Sequence, residues 1–445
     1  MDLKEKLISS YHQTQKDRPK DAFHALREKA ISYFEEKGFP NKKEETWRYT
    51  SLRPILKEDY QLFPKNENTL TQQDIAPYLT KGLDSYLLVY VDGHFVENLS
   101  QPIKTKTFTA TSFSKALQEK EDKARIEKYF DQIAPKEDRD RFRSLNTAFT
   151  QEGTFIHVER NAVVDKPIQL LYFSTGKEDA LLLQPRNLVV VENNAQVKII
   201  ERHQSLNENA TLTNAVTEII AAEHTLVDYY KIQNDKYTSS LIDNTFVDQH
   251  GNDSAVFVHT FSFGGKLTRN NLRASQNAEH LNTTFKGVTI LEGNQHVDHN
   301  TFVHHLQPNN ESHQDYKGMF DDRSHGVFDG YILVDRIAQK TDGYQKSDNI
   351  LMSDRAIAHA KPQLEIYADD VLCSHGCTIG QMDKEALFYL QSRGVPKKEA
   401  KALMMYAFCT SVLSSVTIPE LKAQIDGYIS SKLGVKMDFD SELID

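Results

Sequence analysis

The chain has 445 residues, 39% hydrophobic and 26% charged, with 63 acidic against 53 basic side chains and a formal net charge of -10. That length predicts about two to three domains, and that composition predicts a soluble globular protein with ample apolar material for a core. So acidic a surface excludes general binding to a phosphate backbone, so no nucleic-acid partner is expected; three cysteines, Cys373, Cys377 and Cys409, are too few and too clustered for a disulfide framework.

The opening MDLKEKLISSYHQTQKDRPKD lacks the apolar stretch of a signal peptide. No run reaches the ~18 apolar residues of a membrane span. A cytoplasmic location without membrane contact is expected. Over the first 40 residues Phe23, Leu26, Ala30, Ile31 and Phe34 recur at helical spacing, and Gly38-Phe39-Pro40 stops the helix. EETWRYTSL carries the only tryptophan, Trp47. YLLVYVDGHFVENLS (86–100) alternates about an Asp-Gly turn, which predicts a hairpin. Residues 114–149 read as charged and helical.

After Gly153 helical periodicity disappears for more than 200 residues and short strand-like bursts replace it: NNAQVKII, ENATLTNA, EHTLVDYY, TSSLIDNT, NDSAVFVH, KLTRNNLR and, less regularly, GNQHVDHN, DRSHGVFD, SDRAIAHA and ADDVLCSH. Each is a polar turn followed by alternating side chains, with Val197 and Ile199, or Val256 and Val258, directed inward. Two bursts per ~30 residues predict a stacked parallel β-helix, whose coils bury one continuous core. An antiparallel sandwich and a double-stranded barrel are the alternatives. After Gly380 helices return: Asp383 caps DKEALFYLQSRG and Gly394 ends it, Pro396 opens PKKEAKALMMYAFCTSVLSS, and Thr417 with Glu420 has capping-box spacing before LKAQIDGYISSKL. Leu421, Ile425, Ile429 and Leu433 form one stripe of that helix. The tail KMDFDSELID reads as loose. The expected fold is mainly β: an N-terminal helical and mixed domain (1–150), a right-handed parallel β-helix core (151–380) and a C-terminal helical domain (381–445).

The densest reactive segment is VLCSHGCTIG (371–380). Cys373 and His375 are two apart, on one face of a strand. A thiolate beside an imidazole suits zinc or iron, or a Cys–His catalytic pair; the plain alternative is a structural pair. Gly376 is expected to turn the chain and leave the pair exposed, with Cys377 as a possible third ligand. Twelve of 17 histidines lie between 224 and 375. Among them His296, His299, His304, His305, His313 and His325 form either a metal site or hydrogen-bonded ladders on the solenoid surface; their spacing fits no compact zinc pattern. The Met- and aromatic-rich segment LFYLQSRGVPKKEAKALMMYAFCTSV either packs on the solenoid or offers a partner groove beside Arg393, Lys397, Lys398 and Lys401. Cys409 reads as a core cysteine. No GxxxxGK[ST] loop, Rossmann fingerprint, GxSxG elbow, HExxH, EF-hand loop or CxxC pair is present.

KGMFDDRSHGVFDGYILVDRIAQKTDGYQKSDNILMS, KPQLEIYADDVLCSHGCTIGQMDKEALFYLQSRGV, the pattern around Ala400, Leu403 and Phe408, and GFPNKKEETWRYTSL near the start resemble the signature of the SufB/SufD family of iron–sulfur cluster assembly proteins, its SufD branch above all. The resemblance covers nearly the whole chain. It implies a right-handed β-helix between helical domains and a non-catalytic scaffold subunit of the SUF system. Such a subunit pairs with a SufB-like subunit across the β-helices and docks one SufC-like ATPase through the C-terminal helices. It implies a docking surface from Phe388 to Val412 that includes Phe388, Arg393, Gly394, Lys397, Ala400, Leu403, Met404 and Phe408. It implies that His375, and less strongly Cys373, ligates iron or the nascent cluster at the SufB interface. No cofactor is then bound permanently: the iron–sulfur cluster is transient, and ATP enters through the SufC-like partner. A homodimer is plausible when the SufB-like partner is missing. The fuller cysteine and acidic set of SufB-type chains is not seen, and Cys377 stands where a small residue is expected. The competing readings are a β-helix polysaccharide lyase or hydrolase, which a missing paired-carboxylate ladder disfavours, and a histidine-rich metal-binding structural protein.

Overall fold

A computed structural model describes residues 2–15, 21–133, 140–176 and 179–435; the tail KMDFDSELID lies outside the described residues. Helices Leu3–Gln15 and His24–Lys37 open the chain. The second ends where Gly38 takes φ 63° and returns its N–H to the Phe34 carbonyl, a conformation that favours a residue without Cβ. Its buried stripe, Ala30, Ile31 and Phe34, packs with Phe142 and Phe149 of the helix Arg141–Phe149 against the outer face of the solenoid at Leu212, Ile242 and Leu267. The expected hairpin is present: Tyr86–Val91 pairs antiparallel with His94–Phe95, and Asp92 and Gly93 both have positive φ, as a tight primed turn requires.

From Gly153–Val158 onward the chain winds into a parallel β-solenoid. Successive strands alternate between two sheets, and each pairs in parallel with the next strand of its own sheet: Gln196–Ser205 with Leu226–Gln233, then Ala255–Ser262, then Asn282–Leu291. One coil separates Asn282 from Glu311, 29 residues on, and their side chains are hydrogen-bonded. At the corner leading from the first sheet to the second, Asn161, Asn194, His224, Asp253, His280, Asn309 and Lys340 all adopt left-handed backbone, a region that Asn and Asp tolerate well. These corners stack, since the N–H of Asn194 donates to the Glu223 carbonyl and that of His224 to the Asn252 carbonyl. The polar turns read at NNAQVKII, EHTLVDYY and NDSAVFVH are this column, and those at ENATLTNA, TSSLIDNT and KLTRNNLR lie where the second sheet leads back to the first.

Inward side chains form files in register. Ile199, Tyr229, Val258 and Phe285 succeed one another on four coils and are fully buried. Val197, Val227 and Val256 form a parallel file. The lumen is not purely apolar, since Lys231 pairs with Asp243 there in complete burial; on the outer face, beneath the N-terminal helices, Arg186 pairs with Glu218 and is equally buried.

At one end the sheets are closed by antiparallel strands, Phe108–Ser112 with Ile103–Lys104 on one sheet and the hairpin on the other. At the other end Ile357–Ile366 and Val371–Gln381 are hydrogen-bonded on one side only. The helices Lys384–Ser392, Lys397–Leu413 and Pro419–Leu433 follow. The last two cover the outer face of the second sheet, where Met405, Cys409, Val412, Leu421, Ile425 and Ile429 meet Tyr230, Phe261, Val288 and Met319. The capping box expected from Thr417 and Glu420 does not form. The helix starts at Pro419 with Ile418 as its cap, because Thr417 is used by the solenoid: its hydroxyl donates to Asp228 and accepts from Lys198. No helix among the described residues is long and apolar enough to cross a membrane.

Candidate functional site

The strand Val371–Gln381 is the last rung of the second sheet. It pairs in register with Thr341–Leu351, so Cys373 lies beside Gly343, His375 beside Gln345 and Cys377 beside Ser347. Thr341, Gly343, Gln345 and Ser347 are buried and face the lumen; alternation therefore directs Cys373, His375 and Cys377 to the lumenal side as well. Gly376 does not turn the chain, because the strand runs straight through it to Gln381. His375 and Cys377 are exposed for another reason: among the described residues no coil is stacked on this rung.

The two candidate ligands differ in environment. Cys373 is half-buried, packed against the cluster of Ile332, Val334, Ala338 and Ala368. A Cβ at Gly343 would stand only 3.1 Å from its Sγ, so the glycine leaves room for the sulfur. Burial pushes the Cys373 thiol above its usual range and the Asp342 carboxylate adds to this, while the Gly343 N–H opposes. The thiol is thus held largely protonated, whereas His375 is open to solvent, where an imidazole binds a metal without carrying permanent charge.

The file that ends at His375 changes character along the solenoid. After Ile199, Tyr229, Val258 and Phe285 come Gln314, Gln345 and His375. The facing file on the other sheet runs Leu272, Thr301, Gly330 and Pro362. Thr301 donates across the lumen to Gln314. Gln345 and Gly330 escaped the sequence reading; counting one coil back from His375 along the alternation of TDGYQKSDN finds the first of them.

The histidine-rich region does not assemble a metal centre. Among the described residues no group of three or more His, Cys, Asp or Glu is placed to hold a metal ion. Nor are these histidines uniformly on the surface. His299 and His305 are buried in the lumen, bonded to Thr289 and Ser312, and burial drives them down to about 4 and about 3. His296 lies on the outer face beneath Thr50, its ring 4.5 Å from that of His325. His304 pairs with Asp335 at 3.0 Å.

A second exposed surface follows the last rung. Asp383 caps Lys384–Ser392, accepting from the N–H groups of Glu385 and Ala386, yet the helix buries none of its residues. Phe388 is 72% exposed, Tyr389 and Leu403 stand out with it, and Lys397 is exposed. Arg393 donates to the Tyr389 hydroxyl at 2.9 Å, and Gly394 turns the chain at φ 90°. Met404 and Phe408 are half-buried, with the Lys317 ammonium 5.3 Å from the Phe408 ring. Ala400 differs from the rest of this set: it is wholly buried, where the expected docking surface would have it exposed.

Residues 172–408 match the SufBD core domain of the SUF system for FeS cluster assembly, and residues 1–170 match the SufBD protein N-terminal region. The chain is 31% identical over 408 residues to an iron–sulfur cluster assembly SufBD family protein of Synechocystis, covering 88% of this chain and 87% of the relative. It is 30% identical to the iron–sulfur cluster assembly protein SufD of Escherichia coli over 398 residues, 89% and 90% of the two chains, and 27% identical to SufD of Bacillus subtilis over 76% of each. With its parallel solenoid, its cysteine–histidine end rung and a match that spans the chain, this protein belongs to the SufBD family of iron–sulfur cluster assembly proteins, among its SufD-type members.

Proposed function

We propose that this chain is a non-catalytic, cytoplasmic scaffold subunit that pairs end to end with a SufB-like subunit and docks a SufC-like ATPase, offering His375 to the cluster being assembled. The observation that carries the reading is the open end of the solenoid. Ile357–Ile366 and Val371–Gln381 present unpaired backbone edges, with Leu372 at 76% exposure and Ile379 standing out beside them. An uncovered edge of this kind is a template for strand pairing, and proteins that keep one uncovered use it or suffer aggregation. His375 sits on that edge, so pairing brings it to the seam. A lone imidazole at a seam holds iron or a cluster weakly enough to release it, where four thiolates would retain it. Cys373 is the lesser ligand, since its thiol is held protonated. Three free cysteines support a reducing compartment.

The exposed aromatic face of Lys384–Ser392, with Arg393, Gly394, Lys397, Leu403, Met404 and Phe408, supports docking of the ATPase. The mechanism couples the two surfaces. ATP-driven closure of two ATPase subunits would pull the helices, and the helices, seated on a stiff solenoid, would shift the seam between two states that differ in contacts.

The test is co-expression with SufB-like and SufC-like subunits, pull-down, and optical measurement of the cluster formed. His375→Ala is expected to leave the assembly intact and abolish the cluster. Dissolution of the assembly by that substitution, or a full cluster yield in its presence, refutes the ligand role.

A further inference from the structure

We propose that Gln345 is a positioning residue for His375: its buried carboxamide, one rung below, holds the imidazole in one tautomer and leaves the other nitrogen facing out of the open end. This rests on the reading of His375 as a ligand and adds the group that orients it.

The argument is one of register. On the coil below, the Gln314 Oε1 accepts from the Thr301 hydroxyl across the lumen, while its Nε2 stays without a partner among the described residues. On the next coil the position equivalent to Thr301 is Gly330, which has no group to give. A Cβ at Gly330 would come 3.1 Å from the Gln345 Nε2 and 2.6 Å from Phe328; the carboxamide extends into the space that the glycine leaves. Gln345 is 0% exposed, and neither its Nε2 nor its Oε1 has a protein hydrogen-bond partner. A buried carboxamide with both ends unpaired is unfavourable and uncommon. In the file it occupies, the next side chain is His375, about 4.8 Å along the hydrogen-bonding direction, as adjacent strands are spaced.

The nearest other donor is the unpartnered Gln314 Nε2 one coil below, and the Gln345 Oε1 has two lone pairs, one for it and one for an imidazole N–H. Gly343 and Pro362 offer no side-chain partner, and the Ser347 hydroxyl already accepts from Asn349 at 3.2 Å. The titratable groups sharing the lumenal edge with His375 are Cys373 and Cys377 on its own strand; the facing residues Ala360 and Pro362 carry none. The carboxamide oxygen accepts from the inward ring N–H, which leaves the lone pair on the outward nitrogen free for a metal. Metal-binding histidines regularly use the second nitrogen in this way, which sets tautomer and ring angle.

The experiment is NMR on the full-length chain with 15N-labelled histidine, His375 being assigned through His375→Gln. In the wild-type protein a single tautomer of His375 and a nuclear Overhauser contact between its ring and the Gln345 carboxamide protons are expected. Gln345→Met, of similar length without hydrogen-bonding ends, is expected to return His375 to the tautomer mixture of free imidazole. Gln314→Met removes an equally buried carboxamide one coil away and is expected to leave the His375 signals in place. In the co-expressed complex Gln345→Met is expected to assemble normally with a cluster yield at least tenfold lower. Wild-type protein with no contact between the two side chains, or identical His375 spectra with and without Gln345, overturns the proposal even if Gln345→Met fails to fold. A cluster that forms fully on His375→Ala instead overturns the ligand reading and leaves the positioning contact standing.

Discussion

Thr50 donates its hydroxyl hydrogen to the buried Asp298 carboxylate, and its oxygen lies 2.9 Å from the Nε2 of His296. A hydroxyl has one hydrogen, so His296 must carry its proton on Nε2 and donate it to Thr50. Arg269 completes the set, bonded to Asp298 at 2.5 Å and stacked 3.9 Å over the Trp47 ring. The segment 47–50 is thereby fastened to coils nearly 250 residues downstream. Thr50→Val leaves two buried polar groups short of a partner, at a cost of about 1–3 kcal/mol. Urea denaturation followed through Trp47, the only tryptophan, is expected to show this loss together with a red-shifted native emission. An unchanged midpoint would mean that the segment is not held by this bond.

Acid is expected to destabilise the chain through imidazoles kept neutral in the interior. Burial depresses His259 to about 3, His299 to about 4 and His305 to about 3, helped at His259 by Lys286 and at His305 by His304. In the unfolded chain these groups titrate near 6.5, so below that pH the unfolded state takes up protons that the folded state refuses. Their stabilising contribution is whole above about pH 6.5 and declines as pH falls towards 4, by up to about 1.4 kcal/mol per pH unit for each group. His305→Gln should flatten the slope of unfolding free energy against pH over that window. If the slope stays the same, His305 does not titrate as its burial requires.

The three cysteines should be alkylated in the order Cys377, Cys373, Cys409. Cys377 is exposed and Cys373 half-buried with a raised thiol pKa, while Cys409 is fully buried and pushed up to about 12 by burial. The thiolate is the reactive form. Iodoacetamide labelling at pH 7.5 read by peptide mass spectrometry is expected to modify Cys409 only after unfolding. Early labelling of Cys409 would show that Lys397–Leu413 lifts from the solenoid far more readily than its packing implies.

Lys231 reaches both oxygens of Asp243 across the lumen at 2.7 and 2.8 Å, with Glu201 3.8 Å away, all of them buried. Lys231→Met strands the Asp243 carboxylate in the interior, while Glu201 keeps Asn187, His203 and Tyr229, and should cost about 3–5 kcal/mol. Adding Asp243→Leu should recover part of the loss, since a matched apolar pair substitutes well for a buried ion pair. Denaturant titration of the single and double variants decides this; a single variant within 1 kcal/mol of wild type is incompatible with a dry pair.

The two exposed surfaces should be separable. Leu372→Glu and Phe388→Asp change side chains that are 76% and 72% exposed, so each should leave the isolated chain within about 0.5 kcal/mol of wild type. In pull-downs Leu372→Glu is expected to lose the SufB-like subunit and retain the ATPase, and Phe388→Asp to do the reverse. Loss of both partners by either variant would tie the two surfaces into one.

How much of this was legible beforehand follows from the range of each interaction. Asp383 and Gly394 bound a helix, and Gly38 ends another, through contacts within a few residues, so a linear reading finds them. The solenoid is legible for a related reason: left-handed Asn194, Asp253 and Asn309 at recurring corners and the alternation of Val197, Ile199, Val256 and Val258 repeat one local rule coil after coil. The reading failed where a distant group had a prior claim. Thr417 was taken by Asp228, and the exposure of His375 came from the missing coil above it rather than from Gly376; of the two readings of the histidines, the hydrogen-bonded one holds at His299, in the lumen rather than on the surface. By itself the sequence determined a parallel stack with helical ends and a cysteine–histidine pair on one strand face, because those depend on local turn chemistry and on a period of two. Only the tertiary structure decided that the pair ends an open rung, and that Gln345 waits beneath it opposite a glycine, because register across coils about 30 residues apart is set by stacking and not by neighbours in the chain.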